Sequence, residues 1–320
     1  MFPRSPHRQN SRVVLLQSET VPLPLANPKV RVYVDPPCKE AGRRIDAIAP
    51  LRLWHLTSLD APTVAVVWAL AIARTAGAHL PGWVPVMLAL GTWTVYIGDR
   101  LLDARAGLST GEVHRLRERH FFHWKYRRVM TPLAVIAGAV AAAMISVLMP
   151  AAIRDRNALL GVAALVYFSG VHAPGLRSLR LLPKELVVGV LFTAGCALPT
   201  LTRMWLWHGP STTLRLLLMA VTMLAALAWL NCHAIEQWES GSPRRIDGIM
   251  IASATLTCAC LTVAAEAGGS ATRLAVLMAC TATSAALLGV LDASRTRISP
   301  TVLRAAADLV LLTPIMCLMR

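Results

Sequence analysis

The chain has 320 residues, of which 55% are hydrophobic and 15% are charged, and its mean hydropathy is +0.54. This composition excludes a soluble domain of that length and indicates a multi-pass integral membrane protein. The net charge of +15 does not indicate nucleic-acid binding, because the basic residues alternate with apolar runs and form no single basic domain. The seven cysteines are scattered without a CxxC pair, which favours small packing residues over a disulfide framework.

Residues 1–55 differ in kind from the rest of the chain. They are basic and rich in proline, and they lack the uninterrupted apolar core of a signal peptide. Residues 30–34 alternate as a short strand does, although a lone strand is only marginally stable in water. We predict a mostly disordered cytosolic tail over residues 1–55, followed by a transmembrane helical bundle over residues 56–320. A start codon assigned too far upstream is the alternative explanation of the tail.

Nine apolar runs follow, each near the roughly 20 residues that cross about 30 Å of hydrocarbon as a helix. They cover approximately residues 58–77, 82–104, 130–149, 157–173, 184–202, 212–234, 247–266, 272–291 and 301–319. Charged residues are nearly absent from their middles, and the frequent Gly and Ala residues are typical of helices that approach closely within a membrane. The sequence therefore predicts an all-α bundle of about nine transmembrane helices.

Basic residues beside these runs predict the orientation of the bundle. One side carries most of them: Arg43, Arg44, Arg52, Arg105, Arg115, Arg117, Arg119, Lys125, Arg127, Arg128, Arg177, Arg180, Lys184, Arg244, Arg245, Arg295 and Arg297. The opposite loops offer chiefly Arg154, Arg156, Arg203 and Arg273. We therefore expect a cytosolic N-terminus and a C-terminus on the other side of the membrane, which we take to be a bacterial inner membrane.

The second run ends with two acids at a spacing of four residues. Asp99 and Asp103 would share one face of a helix and could hold one cation together. Ionisable groups at the end of a membrane segment suggest a functional site. The alternative is an ordinary interfacial helix end in which Arg100 and Arg105 neutralise the acids.

The sixth run ends with a second polar cluster on the same predicted side. Asn231 and Glu239 are eight positions apart and lie on one helical face, whereas Glu236 points elsewhere unless the helix breaks before Gly241 and Pro243. Carboxylate and amide oxygens suit Mg²⁺, which usually bridges protein acids to phosphate oxygens. An interfacial helix cap is the alternative for this cluster.

The loop between the second and third runs, residues 114–128, is strongly basic. Arginine matches the geometry of phosphate oxygens, so this loop beside Asp99 and Asp103 favours an anion site. The alternative is an amphipathic helix on anionic lipid, with its arginines among the headgroups and its aromatic residues dipping into the bilayer. The pair His120 and His123 is a weak metal signal because no acidic residue stands at a fixed spacing from it.

These features together resemble the UbiA superfamily of intramembrane prenyltransferases. The resemblance rests on nine helices with an internal N-terminus, the pattern of Asp99, Arg100 and Asp103 at the end of the second, and an acid-bearing end to the sixth. In the middle segment, His172 stands where the family often has tyrosine and Arg177 where it has a basic residue, before a similar apolar helix. The similarity covers residues 56–319.

The resemblance implies a helical bundle whose cytosolic-side cavity binds an isoprenyl diphosphate through Mg²⁺. The residues implied as catalytic are Asp99, Asp103 and Glu239. The implied metal ligands are Asp99, Asp103, Asn231, Glu236 and Glu239. The residues implied to bind the substrate are Arg115, Arg119, Lys125, Arg177 and Asn231.

The implied reaction is Mg²⁺-assisted transfer of an isoprenyl group from the diphosphate to a lipophilic or aromatic acceptor. The expected partners are therefore a prenyl diphosphate, that acceptor and the lipid bilayer. The chain departs from the family's acidic motifs, since Val95 and Tyr96 stand where Asn and Asp are usual and Ile235 where an acid is usual. These losses favour the alternative of a non-catalytic, UbiA-like isoprenoid- or lipid-binding protein. A transporter ranks last, because Glu266 and Asp308 look isolated.

Overall fold

A computed structural model describes residues 50–111, 116–172, 183–208, 211–240, 248–267 and 272–319. The predicted tail up to residue 49 lies outside the described residues, as do Arg115 and Arg177. The described chain is helical from its first residue, Pro50, ahead of residue 56 where the sequence places the start of the bundle.

Eleven helices make up the described part of the chain, and it contains no strand. They are α1 (Pro50–Leu56), α2 (Asp60–Thr75), α3 (Trp83–Thr110), α4 (Glu118–Lys125), α5 (Arg127–Leu148), α6 (Ala151–His172), α7 (Lys184–His208), α8 (Thr212–Ser240), α9 (Gly248–Ala267), α10 (Thr272–Ser294) and α11 (Pro300–Val310). Two 3₁₀ turns, Arg295–Arg297 and Thr313–Cys317, flank α11. The prediction of an all-α protein is confirmed.

Each of the nine apolar runs coincides with a helix, but the predicted number of spans is not confirmed. Within the described ranges, six helical segments are long and apolar enough to cross a membrane, and the bent pair α1 and α2 can count as a seventh. Helix α3 does not qualify, in part because Asp99, Arg100 and Asp103 lie in its second half. Helix α6 does not qualify either, since charged residues occupy its first turns. Several apolar, membrane-length helices make this a multi-pass membrane protein.

The core of the bundle lies where α2, α7, α8 and α10 pack together. Trp68 of α2 is fully buried there, and its ring makes an edge contact with Phe192 of α7 at 5.8 Å between centroids. The indole N–H of Trp68 donates to the carbonyl of Leu311 at 2.8 Å. A buried Trp N–H needs such a partner, so this bond attaches the chain beyond α11 to α2.

Helices α7 and α8 approach each other closely at a glycine. A Cβ atom on Gly189 would lie 2.7 Å from the backbone nitrogen of Trp229. Close approach of helix backbones through small residues is the packing expected within a membrane. The crossing of α7 and α8 therefore depends on the absence of a side chain at Gly189.

Hydrogen bonds between helix ends define two faces of the bundle. On the first, which we call the α4 face, Glu118 accepts from Arg52 of α1 and from Thr301 of α11, the latter at 3.1 Å. On the opposite face, Arg203 at the end of α7 donates to the carbonyl of His79 at 2.7 Å. Arg203 and His79 adjoin loops that the sequence assigns to the same side of the membrane, and the structure brings these loops together on one face.

The outer surfaces of α5 and α6 are apolar and exposed. Their exposed large side chains are Val129, Leu133, Val135, Ile136, Val140, Ile145, Val147, Leu148, Leu159, Val162, Leu165 and Val166. An apolar area of this size is unfavourable against water and is suited to contact with lipid. Among the buried polar side chains, Arg119, His120 and His123 lie on α4 itself.

Candidate functional site

The bend between α1 and α2 brings two ionisable side chains together. The two helices are inclined by 89°, and Ser58 between them has a φ of 55°, in the left-handed region that few residues adopt. His55 at the end of α1 thereby places its Nδ1 atom 2.7 Å from Oδ2 of Asp60, the first residue of α2. The helix dipole also favours a negative charge at the position of Asp60.

Helix α4 presents its polar side to the protein. The backbone N–H of Arg117 donates to Nδ1 of His120 at 2.9 Å and so fixes the start of the helix. Arg119, His120 and His123 are buried at positions that share one helical face. Lys125 is exposed and lies outside this face. Of the basic residues predicted to bind substrate, α4 therefore brings Arg119 into the bundle and leaves Lys125 at the surface.

The carboxylate of Glu239, in the last turn of α8, is surrounded by three arginines. Arg119 donates from Nη1 to Oε1 at 2.8 Å and from Nη2 to Oε2 at 3.3 Å. Arg304 of α11 also donates to Oε1, and Arg117 donates to the backbone carbonyl of Glu239. Charge-assisted and bidentate bonds of this kind are among the stronger hydrogen bonds in proteins. The arrangement joins α4, α8 and α11 and leaves an excess of positive charge.

The crowding of positive charge affects the protonation of the buried α4 groups. Burial, together with Arg304 and Arg100, lowers the pKa of Arg119 to about 9. Burial and the charges of Arg119 and Arg100 lower the pKa of His120 to about 2, and burial also lowers the pKa of His123. Both imidazoles are therefore neutral at pH 7, and the guanidinium groups carry the charge of the site.

The other predicted acids have different neighbours. Asp99 accepts from Nη1 of Arg100 at 3.0 Å, and an oxygen of Asp103 lies 3.9 Å from Nε2 of His120. Asn231 donates from Nδ2 to Oδ1 of Asp308 at 3.3 Å. Glu236 is exposed, as expected for a position off the shared face of α8.

The acids of α3 and the end of α8 differ in how well they suit a magnesium ion. Mg²⁺ prefers oxygen ligands and retains several waters. Asp99 and Asp103 lie one turn apart on α3, with side chains 34% and 46% exposed, so both carboxylates can reach one hydrated ion. Both oxygens of Glu239 accept from arginine, and in this arrangement Glu239 is the counter-ion of the cluster. The acids of α3 thus supply the type of ligand that Mg²⁺ prefers, whereas metal binding at Glu239 requires a change of partners.

An open cleft of about 250 Å³ lies beside the arginine cluster. Its walls include Trp238, Glu239, Arg295, Leu303 and Arg304. Two guanidinium groups and one carboxylate therefore face a space that also has apolar walls. This combination can bind the anionic end of an amphipathic molecule.

A second polar group, deeper in the bundle, was not predicted. His55, Asp60 and Asp308 offer one ligand atom each, and these three atoms lie within 4.8 Å of one another. Asp308 looks isolated in the sequence, because its partners are far away along the chain. One signal was available: an acid inside an apolar run requires a polar partner.

Comparison of the chain with protein-family models, with curated proteins and with solved structures gives no match.

Proposed function

We propose that the protein is a UbiA-like membrane prenyltransferase that binds the diphosphate of an isoprenyl donor at the arginine cluster around Glu239. The observation that carries the proposal is the convergence of three arginines on one residue: Arg119 and Arg304 donate to the carboxylate of Glu239, and Arg117 donates to its backbone carbonyl. The planar fork of arginine matches two phosphate oxygens at once. A doubly or triply charged diphosphate satisfies this excess of positive charge better than Glu239 does alone.

The size of the cleft supports a binding mode in which the cleft holds only the diphosphate end of the donor. Its volume of about 250 Å³ is below the roughly 300–1,000 Å³ of sites that enclose a whole drug-sized ligand. The cleft suits a headgroup, while Ile235 and Leu303 in its wall offer an apolar path for the first part of an isoprenyl chain. The remainder of the chain would extend toward lipid.

The reaction would be ionisation followed by capture. The bond between the allylic carbon and the diphosphate oxygen breaks, and its electron pair leaves with the diphosphate, whose added charge Arg119 and Arg304 stabilise. The acceptor then attacks the allylic cation and loses a proton. Mg²⁺ bound by Asp99 and Asp103 is part of this proposal, and it would neutralise further charge on the leaving group.

A second function is favoured by one feature of the site. Because Glu239 is already bound by arginine, the end of α8 can hold an anion without any metal ion. A non-catalytic protein that binds anionic isoprenoids or lipids needs no more than this. It differs from the enzyme in two measurable respects, namely dependence on Mg²⁺ and release of diphosphate.

The test is binding of labelled farnesyl diphosphate to the full chain purified in detergent, with and without Mg²⁺. We expect Arg304→Gln to weaken binding at least about tenfold, since a lost charge-assisted hydrogen bond contributes about 1.5–3 kcal/mol. Arg273→Gln is the matched control, because Arg273 lies at the start of α10 and is exposed. Asp99→Ala should weaken binding only when Mg²⁺ is present.

The outcomes separate the two functions. Mg²⁺-dependent binding, with release of diphosphate on addition of membrane lipid extract, supports the enzyme. Binding that is insensitive to Mg²⁺ and to Asp99→Ala, without release of diphosphate, supports the non-catalytic protein. If the wild-type chain binds no farnesyl diphosphate under either condition, both proposals are wrong.

A further inference from the structure

Side chains from four helices converge at one point inside the bundle. His55 ends α1, Asp60 begins α2, Asn231 lies in α8 and Asp308 lies in α11. The first three residues are 3%, 5% and 5% exposed, and the side chain of Asp308 is 18% exposed. The proposed diphosphate site uses none of these groups, although the sequence alone assigns Asn231 to it.

The geometry of His55 and the two acids suits a shared ion. The same ring nitrogen, Nδ1, lies 2.7 Å from Oδ2 of Asp60 and 3.7 Å from Oδ2 of Asp308. Ligand atoms at about 2.1 Å from a tetrahedral ion are separated by about 3.4 Å. The two observed separations lie on either side of that value, and all three ligand atoms lie within 4.8 Å of one another, so a shift of the carboxylates would place them around one centre.

Asn231 provides an independent indication of a ligand. Its Oδ1 atom is buried and has no hydrogen-bond partner, while its Nδ2 lies 3.3 Å from Oδ1 of Asp308. A buried acceptor without a donor is unfavourable. Half a turn of the amide exchanges its two ends and directs the oxygen at Asp308, which is favourable when a cation or a proton on Asp308 lies between them.

The charges around the cluster leave room for a cation. Arg304, the nearest cation on α11, is bound to Glu239, and Arg100 of α3 is bound to Asp99. Two carboxylates in the interior require compensation. Within the described residues, Arg100 acts on Asp60 and Arg304 acts on Asp308 and Asp60. The remaining compensation comes from a proton on His55 or Asp308 or from a bound metal ion.

We propose that His55, Asp60, Asp308 and Asn231 bind one divalent transition-metal ion. An imidazole nitrogen suits ions such as Zn²⁺, Co²⁺ and Fe²⁺, whereas Mg²⁺ prefers oxygen and water. The ion would hold α1, α2, α8 and α11 together at a point where apolar packing alone does not determine their positions. This site is separate from the Mg²⁺ proposed for Asp99 and Asp103.

The test uses full-length protein in detergent, with its cysteines alkylated so that thiols cannot bind metal, and treated with a chelator. After equilibration with Zn²⁺ and removal of excess, mass spectrometry of the metal content should give about one Zn²⁺ per chain. We expect His55→Ala and Asp308→Asn to retain less than about a tenth of that amount. His79→Gln and Asp155→Asn are matched controls at exposed positions and should retain all of it.

A second measurement uses the wild-type chain and so does not depend on whether the variants fold. The melting temperature of the wild-type chain should rise with Zn²⁺ and fall with chelator, and Co²⁺ should give the visible absorption of a tetrahedral site. The proposal is overturned if wild-type protein binds no metal and melts at the same temperature with Zn²⁺ and with chelator. It is equally overturned if both cluster variants bind as much Zn²⁺ as the controls, and the cluster is then an imidazolium between two carboxylates.

Discussion

At the scale of single residues, Glu239 and Asp308 show what a sequence pattern can and cannot reveal. The spacing of Asn231 and Glu239 on one face of α8 is local, and the structure places both toward the bundle interior. Their partners are not local, since Arg119 precedes Glu239 by 120 residues and Asp308 follows Asn231 by 77. Helical periodicity therefore identifies the face but gives no information about what binds to it.

The buried histidine of α4 predicts a pH dependence of stability. Burial and the charges of Arg119 and Arg100 lower the pKa of His120 from 6.5 to about 2. Below pH 6.5 the unfolded chain takes up a proton at this position and the folded chain does not. As the pH is lowered, the free energy of unfolding therefore decreases by up to about 1.4 kcal/mol per pH unit. Above pH 7 this histidine has no further effect.

This prediction can be checked by thermal unfolding in detergent between pH 5 and pH 8. His120→Asn retains an acceptor for the N–H of Arg117 but does not titrate, so its melting temperature should depend less on pH than that of the wild type. His79→Gln, at an exposed position, should not change the dependence. Equal slopes for wild type and His120→Asn would contradict the burial of a neutral imidazole.

At the scale of helices, α4 could not be placed from the sequence. Its composition is compatible both with a helix on anionic lipid and with an anion site. The position of α4 is determined by contacts with residues that are far away along the chain. Thr301 lies 183 residues after Glu118 and donates to it, and Glu239 binds Arg119. Because these partners lie on α8 and α11, the basic side of α4 faces the bundle.

The crossing of α7 and α8 gives a prediction for two glycines of one helix. Gly189→Ala places a methyl group 2.7 Å from the backbone of Trp229, and we expect a loss of stability of about 1–3 kcal/mol. Gly195→Ala meets no atom within 4 Å, so the better helix propensity of alanine should leave stability unchanged or raise it by up to about 1 kcal/mol. Melting temperatures in detergent measure both, and equal effects would show that α7 and α8 do not cross at Gly189.

At the scale of the whole molecule, the charge pattern and the contacts are consistent with each other. The opposite-face loops meet through Arg203 with His79 and through Arg273 with the carbonyl of Arg74, and all of these belong to loops or ends with few basic residues. The positions of the apolar runs could thus be predicted, because a membrane requires long apolar helices. The number of spans could not, because α3 and α6 combine helical length with charge.

The orientation itself stays a prediction and can be tested with fusions on either side of α8. A cytosolic α4 face requires alkaline phosphatase to be active when fused after Ser211 and inactive when fused after Ser240, since the enzyme folds only in an oxidising compartment. The two fusions differ by one helix and serve as each other's control. The reverse pattern would place the α4 face outside.

The bond between Trp68 and the carbonyl of Leu311 joins positions 243 residues apart. At about 5–20 residues per second, a ribosome needs roughly 10–50 s to cover that distance. During this time, α1 and α2 have been synthesised with His55 and Asp60, while the codon for Asp308 has not yet been translated. The nascent protein therefore passes through a stage in which His55 and Asp60 have each other as partners but do not yet have Asp308.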